Sequence, residues 1–137
     1  MGRRGRVLII DDDRLFATAM ERCLAPQHDV VARHSAVDAL RLLARGERFD
    51  LIFCDLTMPD MTGMDFFSAL TARFREHAMR TVFLSGGAYT DELRSFLESV
   101  SNPCLEKPFD VQELLRLTRE WIGPERTVSA TSTLHSA

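Results

Sequence analysis

The sequence predicts an α/β fold, a doubly wound parallel sheet with helices on both faces. Three observations carry this prediction. Runs such as Val7-Leu8-Ile9-Ile10 and Leu51-Ile52-Phe53-Cys54 are continuously apolar, as expected of strands buried on both faces. Each such run is followed by apolar residues at helical spacing. The strand-then-helix unit recurs five times in series, the signature of a doubly wound sheet. At 137 residues the chain holds one domain with enough apolar residues for a real core.

The elements follow in order. Val7–Ile10 is the first strand. Leu15, Phe16, Ala19, Met20, Cys23 and Leu24 then recur at helical spacing, and Pro26 closes that helix. Asp29–Arg33 is a weaker strand. Ser35, with Asp38 three residues on, caps a second helix that buries Leu40 and Leu43 and ends at Gly46. Phe49–Cys54 is the third strand, and Leu56–Gly63 is a loop held by Pro59 and Gly63.

A third helix runs over Met64–Phe74 through Met64, Phe67, Leu70 and Phe74. Thr81–Leu84 is a strand leading into Ser85-Gly86-Gly87. Leu93, Phe96, Leu97 and Val100 fit the spacing of a fourth helix. Pro103–Glu106 is a short fifth strand. Asp110 and Glu113 form a capping box for a last helix carrying Leu114, Leu115 and Trp121, ended by Gly123-Pro124. Residues 6–122 thus form the folded unit. Residues 123–137, rich in Ser, Thr and Ala, are predicted to be a disordered tail or linker.

The formal net charge of −3 argues against a nucleic-acid face, which needs clustered excess Lys and Arg. Arg3, Arg4 and Arg6 read as a solvated basic terminus. Cys23, Cys54 and Cys104 are odd in number and lack metal or redox spacing, so they read as reduced thiols of a cytosolic protein. His28, His34, His77 and His135 are scattered. No apolar stretch approaches a membrane span or a signal-peptide core. A soluble, cytoplasmic protein is the expectation.

Four polar sites, far apart in the chain, stand at or beside strand ends. They are Asp11-Asp12, Asp55, Ser85 and Lys107. Parallel strands deliver such residues to one sheet edge, where ligands bind. Three carboxylates suggest a magnesium site, and the set would be completed by an acidic nucleophile, a hydroxyl donor and a countercharge for a phosphoryl group. Asp13 reads instead as the start of the first helix, where its charge favours the positive end.

The pattern Ile9-Ile10-Asp11-Asp12, then Phe49 to Gly63 around Asp55, then Phe83-Leu84-Ser85-Gly86-Gly87, then Glu106-Lys107-Pro108-Phe109 resembles the receiver domain of two-component response regulators. The intervals Asp12 to Asp55, Asp55 to Ser85 and Ser85 to Lys107 are 43, 30 and 22 residues, and the resemblance runs from Arg6 to Ile122. It implies a flavodoxin-like (βα)5 sheet in strand order 2-1-3-4-5. It also implies that Asp55 is the phosphoacceptor. Magnesium would be bound by Asp12, Asp55 and the Thr57 carbonyl, with Asp11 acting largely through water. Ser85 and the Gly86 amide would bind phosphoryl oxygens, Lys107 would supply countercharge, and Lys107-Pro108 would be cis. The donor would be the phospho-histidine of a sensor histidine kinase or phosphotransfer protein. The module would be a switch whose only chemistry is self-catalysed phosphotransfer and autodephosphorylation. The fourth helix, fifth strand and fifth helix would form the output face.

Three features depart from the family pattern. Ser85 stands where Thr is commoner. Gly86-Gly87 makes its loop more mobile. Cys104 stands where many receivers carry a switching Tyr or Phe, leaving Phe83, Tyr89 and Phe109 as alternative reporters. The run Asn102–Phe109 looks like receivers attached to hybrid sensor kinases. Two rivals are an aspartyl-phosphate phosphatase of the haloacid dehalogenase-like group and a binding-only pseudo-receiver. The first wants Asp-x-Asp, which Asp55-Leu56-Thr57 lacks, and the intact acidic set speaks against the second.

Overall fold

The computed structural model describes residues 3–87 and 89–123. Five strands, β1 (Arg6–Ile10), β2 (Asp29–Arg33), β3 (Leu51–Asp55), β4 (Thr81–Ser85) and β5 (Cys104–Glu106), form one parallel sheet in the order β2-β1-β3-β4-β5. The helices are α1 (Arg14–Leu24), α2 (Ala36–Ala44), α3 (Gly63–Arg73), α4 (Arg75–Ala78), α5 (Asp91–Ser99) and α6 (Val111–Ile122). The fourth and fifth helices expected from the sequence are therefore α5 and α6. Residues 124–137, most of the expected tail, lie outside the described residues.

Successive strand side chains point to opposite faces, so each strand feeds two cores. Leu8, Ile10, Ile52, Cys54 and Phe83 pack with Leu42, Phe66, Leu70 and Leu93 on one side. Val7, Ile9, Leu51, Phe53, Val82 and Leu84 pack with Ala17, Met20, Leu24, Leu114 and Ile122 on the other. Strand β2 lies at the edge and none of its residues is fully buried, which explains its weaker sequence signal.

Several helical faces differ from expectation. Helix α1 buries Ala17, Met20 and Leu24, whereas Leu15 is 85% exposed and Ala19 is also exposed. In α2, Leu42 is buried beside Leu43, with Leu40 only half-buried. Helix α3 buries Gly63, Phe66 and Leu70, with Phe67 half-buried beside them. In α6 the stripe is Leu114, Thr118 and Ile122. Thr118 enters an apolar stripe because its hydroxyl donates to the Leu114 carbonyl at 2.8 Å.

Caps fix the helix starts. Asp13, Ser35, Thr62, Thr90 and Asp110 each accept a backbone N–H of the following first turn. Ser35 accepts from Asp38 as expected. Asp110 accepts from Gln112, and no reciprocal bond from Glu113 occurs among the described residues.

The short α4 was not expected, being one polar turn. It earns its place through His77, whose Nε2 accepts the Phe49 N–H at 3.0 Å while its carbonyl accepts the Thr81 hydroxyl at 2.8 Å. The basic start is likewise no free terminus. Arg3 pairs with Asp50, and Arg6 pairs with Glu47 and lies over the Phe49 ring. Arg4 pairs with Asp29 and donates to the carbonyls of Ala25, Pro26 and His28 just after α1. These arginines lock the lower end of the sheet.

Candidate functional site

Register sets the site. Ile10 pairs with Cys54, so Asp11 and Asp55 stand abreast at neighbouring strand ends. Asp55 pairs with Leu84, which places Ser85 one step further on β4. The Lys107 N–H donates to the Ser85 carbonyl at 2.7 Å, extending the β4–β5 ladder to the lysine. The order reverses between β1 and β3, where a doubly wound sheet opens its ligand crevice.

Asp11 is fully buried and Asp55 is 6% exposed, while Asp12 faces solvent. One carboxylate oxygen from each lies within 4.8 Å of the others. Lys107 Nζ donates to Asp11 Oδ2 at 2.7 Å and stands 3.6 Å from Asp55 Oδ1. Asp11 Oδ1 accepts the Asp13 N–H at 3.0 Å. Asp13 turns away to cap α1, accepting from the Phe16 N–H at 3.1 Å, as its reading as a helix start requires.

The crowding of acids leaves an electrostatic signature. Burial, then repulsion from Asp11, pushes the Asp55 carboxyl up to about 6, against the attraction of Lys107 and the Thr57 amide. For Lys107 burial works to lower the pKa. The hydrogen bond to Asp11 and the charges of Asp55 and Asp11 outweigh it, so the ammonium is held above its ordinary value. A divalent cation fits this donor set: hard carboxylate oxygens converge, one acid is solvent-facing, and their mutual repulsion lacks full compensation.

Ser85 is 2% exposed, and its Oγ accepts the Gly87 N–H at 3.1 Å. Its hydroxyl proton is thus left to donate elsewhere. Gly87 has φ +91°, a backbone conformation that favours glycine, and a Cβ there would lie 2.8 Å from Glu106 Oε2, the far end of an exposed side chain that can move aside. A Cβ on Gly86 would meet open space. The Lys107-Pro108 peptide is cis.

Gly63 and Phe16 do more at the site than the loop and helix readings assign them. A Cβ on Gly63 would lie 2.7 Å from the Asp55 carbonyl oxygen, so α3 starts against the acceptor's own backbone. Phe16 presents its ring face to Lys107 Nζ, 4.3 Å from the centroid. Its place in the helical pattern marked it only as packing.

Cys104 is half-buried and pairs with Phe83 across β4–β5. Phe83 meets Phe67 and Phe96 edge-to-face, with centroids 5.3 Å away in each case. Of the alternative reporters, Phe83 is fully buried, Tyr89 is exposed and Phe109 packs on Phe16. The cleft at the opposite end of the sheet, lined by Arg4, Arg6, Arg48, Asp50 and His77, is occupied by ion pairs and holds none of the expected site residues.

A sheet in this order, with an acidic pocket and a lysine at the ends of β1, β3 and β5, defines a class, the phosphoacceptor domains of two-component signalling. Sequence comparison is as specific: the chain belongs to the response regulator receiver domain family, whose profile matches residues 7–119. It is 31% identical over 128 residues to the sensor protein GacS of Pseudomonas syringae, covering 88% of this chain and 14% of that protein. It is 32% identical over 113 residues to the response regulator protein FleR of Pseudomonas aeruginosa, covering 82% and 23%. The chain thus spans less than a quarter of the length of either. Among solved structures, the receiver domain of the sensor histidine kinase PA1611 of Pseudomonas aeruginosa, described with a magnesium ion coordinated in its active site cleft, is 26% identical. It superposes with a TM-score of 0.74 over 88% of this chain and 98% of that one. The receiver domain of the Francisella response regulator 1452 is 25% identical, with a TM-score of 0.73 over 87% and 97%.

The chain therefore carries a receiver domain with a phosphoacceptor role, and receiver domains are regulatory modules. Receiver domains bind magnesium at an acidic pocket and interact with histidine kinases or phosphotransfer proteins. Among the described residues no helix is long and apolar enough to cross a membrane.

Proposed function

We propose that Asp55 is the phosphoacceptor, supported by Ser85, Gly86 and Lys107, within a domain spanning residues 6–122. The observation that carries this is the convergence of Asp55 with Asp11, Asp12 and Lys107 at one sheet edge. A carboxylate oxygen of Asp55 attacks the phosphorus of a phospho-histidine. The new O–P bond forms as the P–N bond breaks, and the imidazole leaves. A magnesium ion held by Asp12, Asp55 and the Thr57 carbonyl, with Asp11 acting through water, supplies charge neutralisation at the phosphoryl oxygens when bound.

The protein's own groups do the rest. Lys107, 3.6 Å from Asp55 Oδ1, is placed to follow the incoming negative charge. The Ser85 hydroxyl donates its free proton to a phosphoryl oxygen, and the Gly86 amide donates to another. These are positioning and electrostatic contributions. Hydrolysis by water resets the switch. The donor is a sensor histidine kinase or phosphotransfer protein in the cytoplasm, and the output surface is α5, β5 and α6. Neither nucleic acid nor membrane is a partner of this domain.

The test is intact-mass spectrometry after incubation with magnesium and acetyl phosphate. Wild type gains one phosphoryl group and Asp55→Asn gains none. Equal labelling of both removes Asp55 from the role.

A further inference from the structure

Lys107 has three close neighbours, two carboxylates and an aromatic ring. Its ammonium donates to Asp11 Oδ2 at 2.7 Å, stands 3.6 Å from Asp55 Oδ1, and lies 4.3 Å above the centre of the Phe16 ring. Only 20% of its side chain is exposed, so water solvates little of the charge. The ring face takes part of that duty, because its electron-rich face attracts a cation placed over it. Phe109 and Phe16 pack with perpendicular rings, centroids 5.6 Å apart and planes at 89°, a favoured geometry that restrains the Phe16 ring. The segment 107–109 therefore contacts Phe16 twice, once by the lysine head and once by the Phe109 ring.

We propose that the Phe16 ring, braced by Phe109, positions Lys107 for transfer between Asp11 and a phosphoryl group on Asp55. This deepens the reading of Lys107 given above and rests on it. A ring face suits the task because it attracts without direction. A carboxylate at that place would capture an N–H in a fixed bond. An aliphatic chain would strip water from the ammonium and return nothing. Over a ring face the ammonium moves from one oxygen to the next while part of its charge stays compensated. Phe16 is thus a positioning residue acting through Lys107, and its ring electronics, not only its bulk, matter.

The bland alternative is that Phe16 and Phe109 merely pack at the core rim, where both are half-buried. The two accounts differ in what ring fluorination does. Phenylalanine at position 16 is replaced by its mono-, di- and trifluoro forms, which keep shape and apolarity while weakening the attraction for a cation. Labelling by acetyl phosphate with magnesium is expected to slow stepwise, by roughly 2- to 30-fold over the series. The melting temperature should hold steady. Phe16→Tyr retains most of the rate and Phe16→Leu does not. Without magnesium or phosphate, the Lys107 side-chain protons nearest the ammonium should resonate upfield in wild type from the ring current, and lose that shift in Phe16→Leu.

A flat rate series, or the absence of an upfield Lys107 signal in wild type, overturns the proposal while leaving Asp55 labelling intact. Failure of wild type to label at all instead overturns the reading of the site, and this proposal with it.

Discussion

Replacing Asp55 by Asn is expected to stabilise the metal-free protein at neutral pH, although it abolishes the acceptor. The folded-state carboxyl is raised from an ordinary 3.8 to about 6, first by burial and then by Asp11. Folding then disfavours the ionised form. Between those two values the folded state binds more protons than the unfolded chain, so stability falls as pH rises through about 6, and the penalty is constant above it. A shift from 3.8 to about 6 corresponds to about 3 kcal/mol at 1.36 kcal/mol per pH unit. Asparagine stands in for the neutral carboxyl. With screening at a site open to solvent on one side, about 1–3 kcal/mol should be recovered, several degrees of melting temperature for a domain of this size. The assay is thermal and urea melting in EDTA at pH 7.5 and at pH 4. The variant should lead at pH 7.5 and lose its advantage at pH 4. Saturating magnesium should narrow the gap by binding native wild type more tightly. A variant equal to or less stable than wild type in EDTA at pH 7.5 would refute the reasoning.

Three further outcomes follow from the geometry. Asp13→Ala should cost about 1 kcal/mol of stability through loss of the α1 cap yet keep the magnesium-induced rise in melting temperature, whereas Asp12→Ala should lose that rise; equal losses in a titration would mean the ligand pair is wrongly drawn. Gly63→Ala should destabilise by about 2–4 kcal/mol in denaturant melts, since its Cβ would meet backbone at 2.7 and 2.8 Å; a change under 0.5 kcal/mol would contradict that contact. His77 is held below its ordinary 6.5 by burial and by Arg48, so below about pH 6.5 the unfolded chain binds more protons and stability falls with pH. In His77→Gln, whose amide oxygen accepts the Phe49 N–H without titrating, the decline from pH 7 to 5 should be shallower, and a steeper decline would count against the assignment.

The strands and the residues at their ends were legible because buried parallel strands are written as unbroken apolar runs, and the polar residue that follows each stands out. Asp11, Asp12, Asp55 and Lys107 lie together at one sheet edge. Helix faces were less legible. Leu15 belongs to a helical pattern but sits off the Ala17, Met20 and Leu24 stripe, and Thr118 belongs to a buried stripe because its hydroxyl finds a partner one turn back. Helix α4 and the arginine locks were invisible because their partners come from distant segments: His77 serves Phe49, and Arg4 serves the carbonyls after α1. The sequence reads Gly87 as mobility, whereas its positive φ is a fixed conformation that favours glycine. The place of Phe16 over Lys107 depends on how α1 meets the segment after β5, which no local pattern records.

The central claim, that Asp55 carries the phosphoryl group, is tested most directly by trapping the acyl phosphate. The protein is labelled with acetyl phosphate and magnesium, reduced with borohydride and digested, and the peptides are sequenced by mass spectrometry. Reduction converts a phosphorylated aspartate to homoserine. Homoserine at position 55, and at neither 11 nor 12, is the predicted result. Homoserine at position 11 or 12, or no homoserine in a labelled sample, would contradict it.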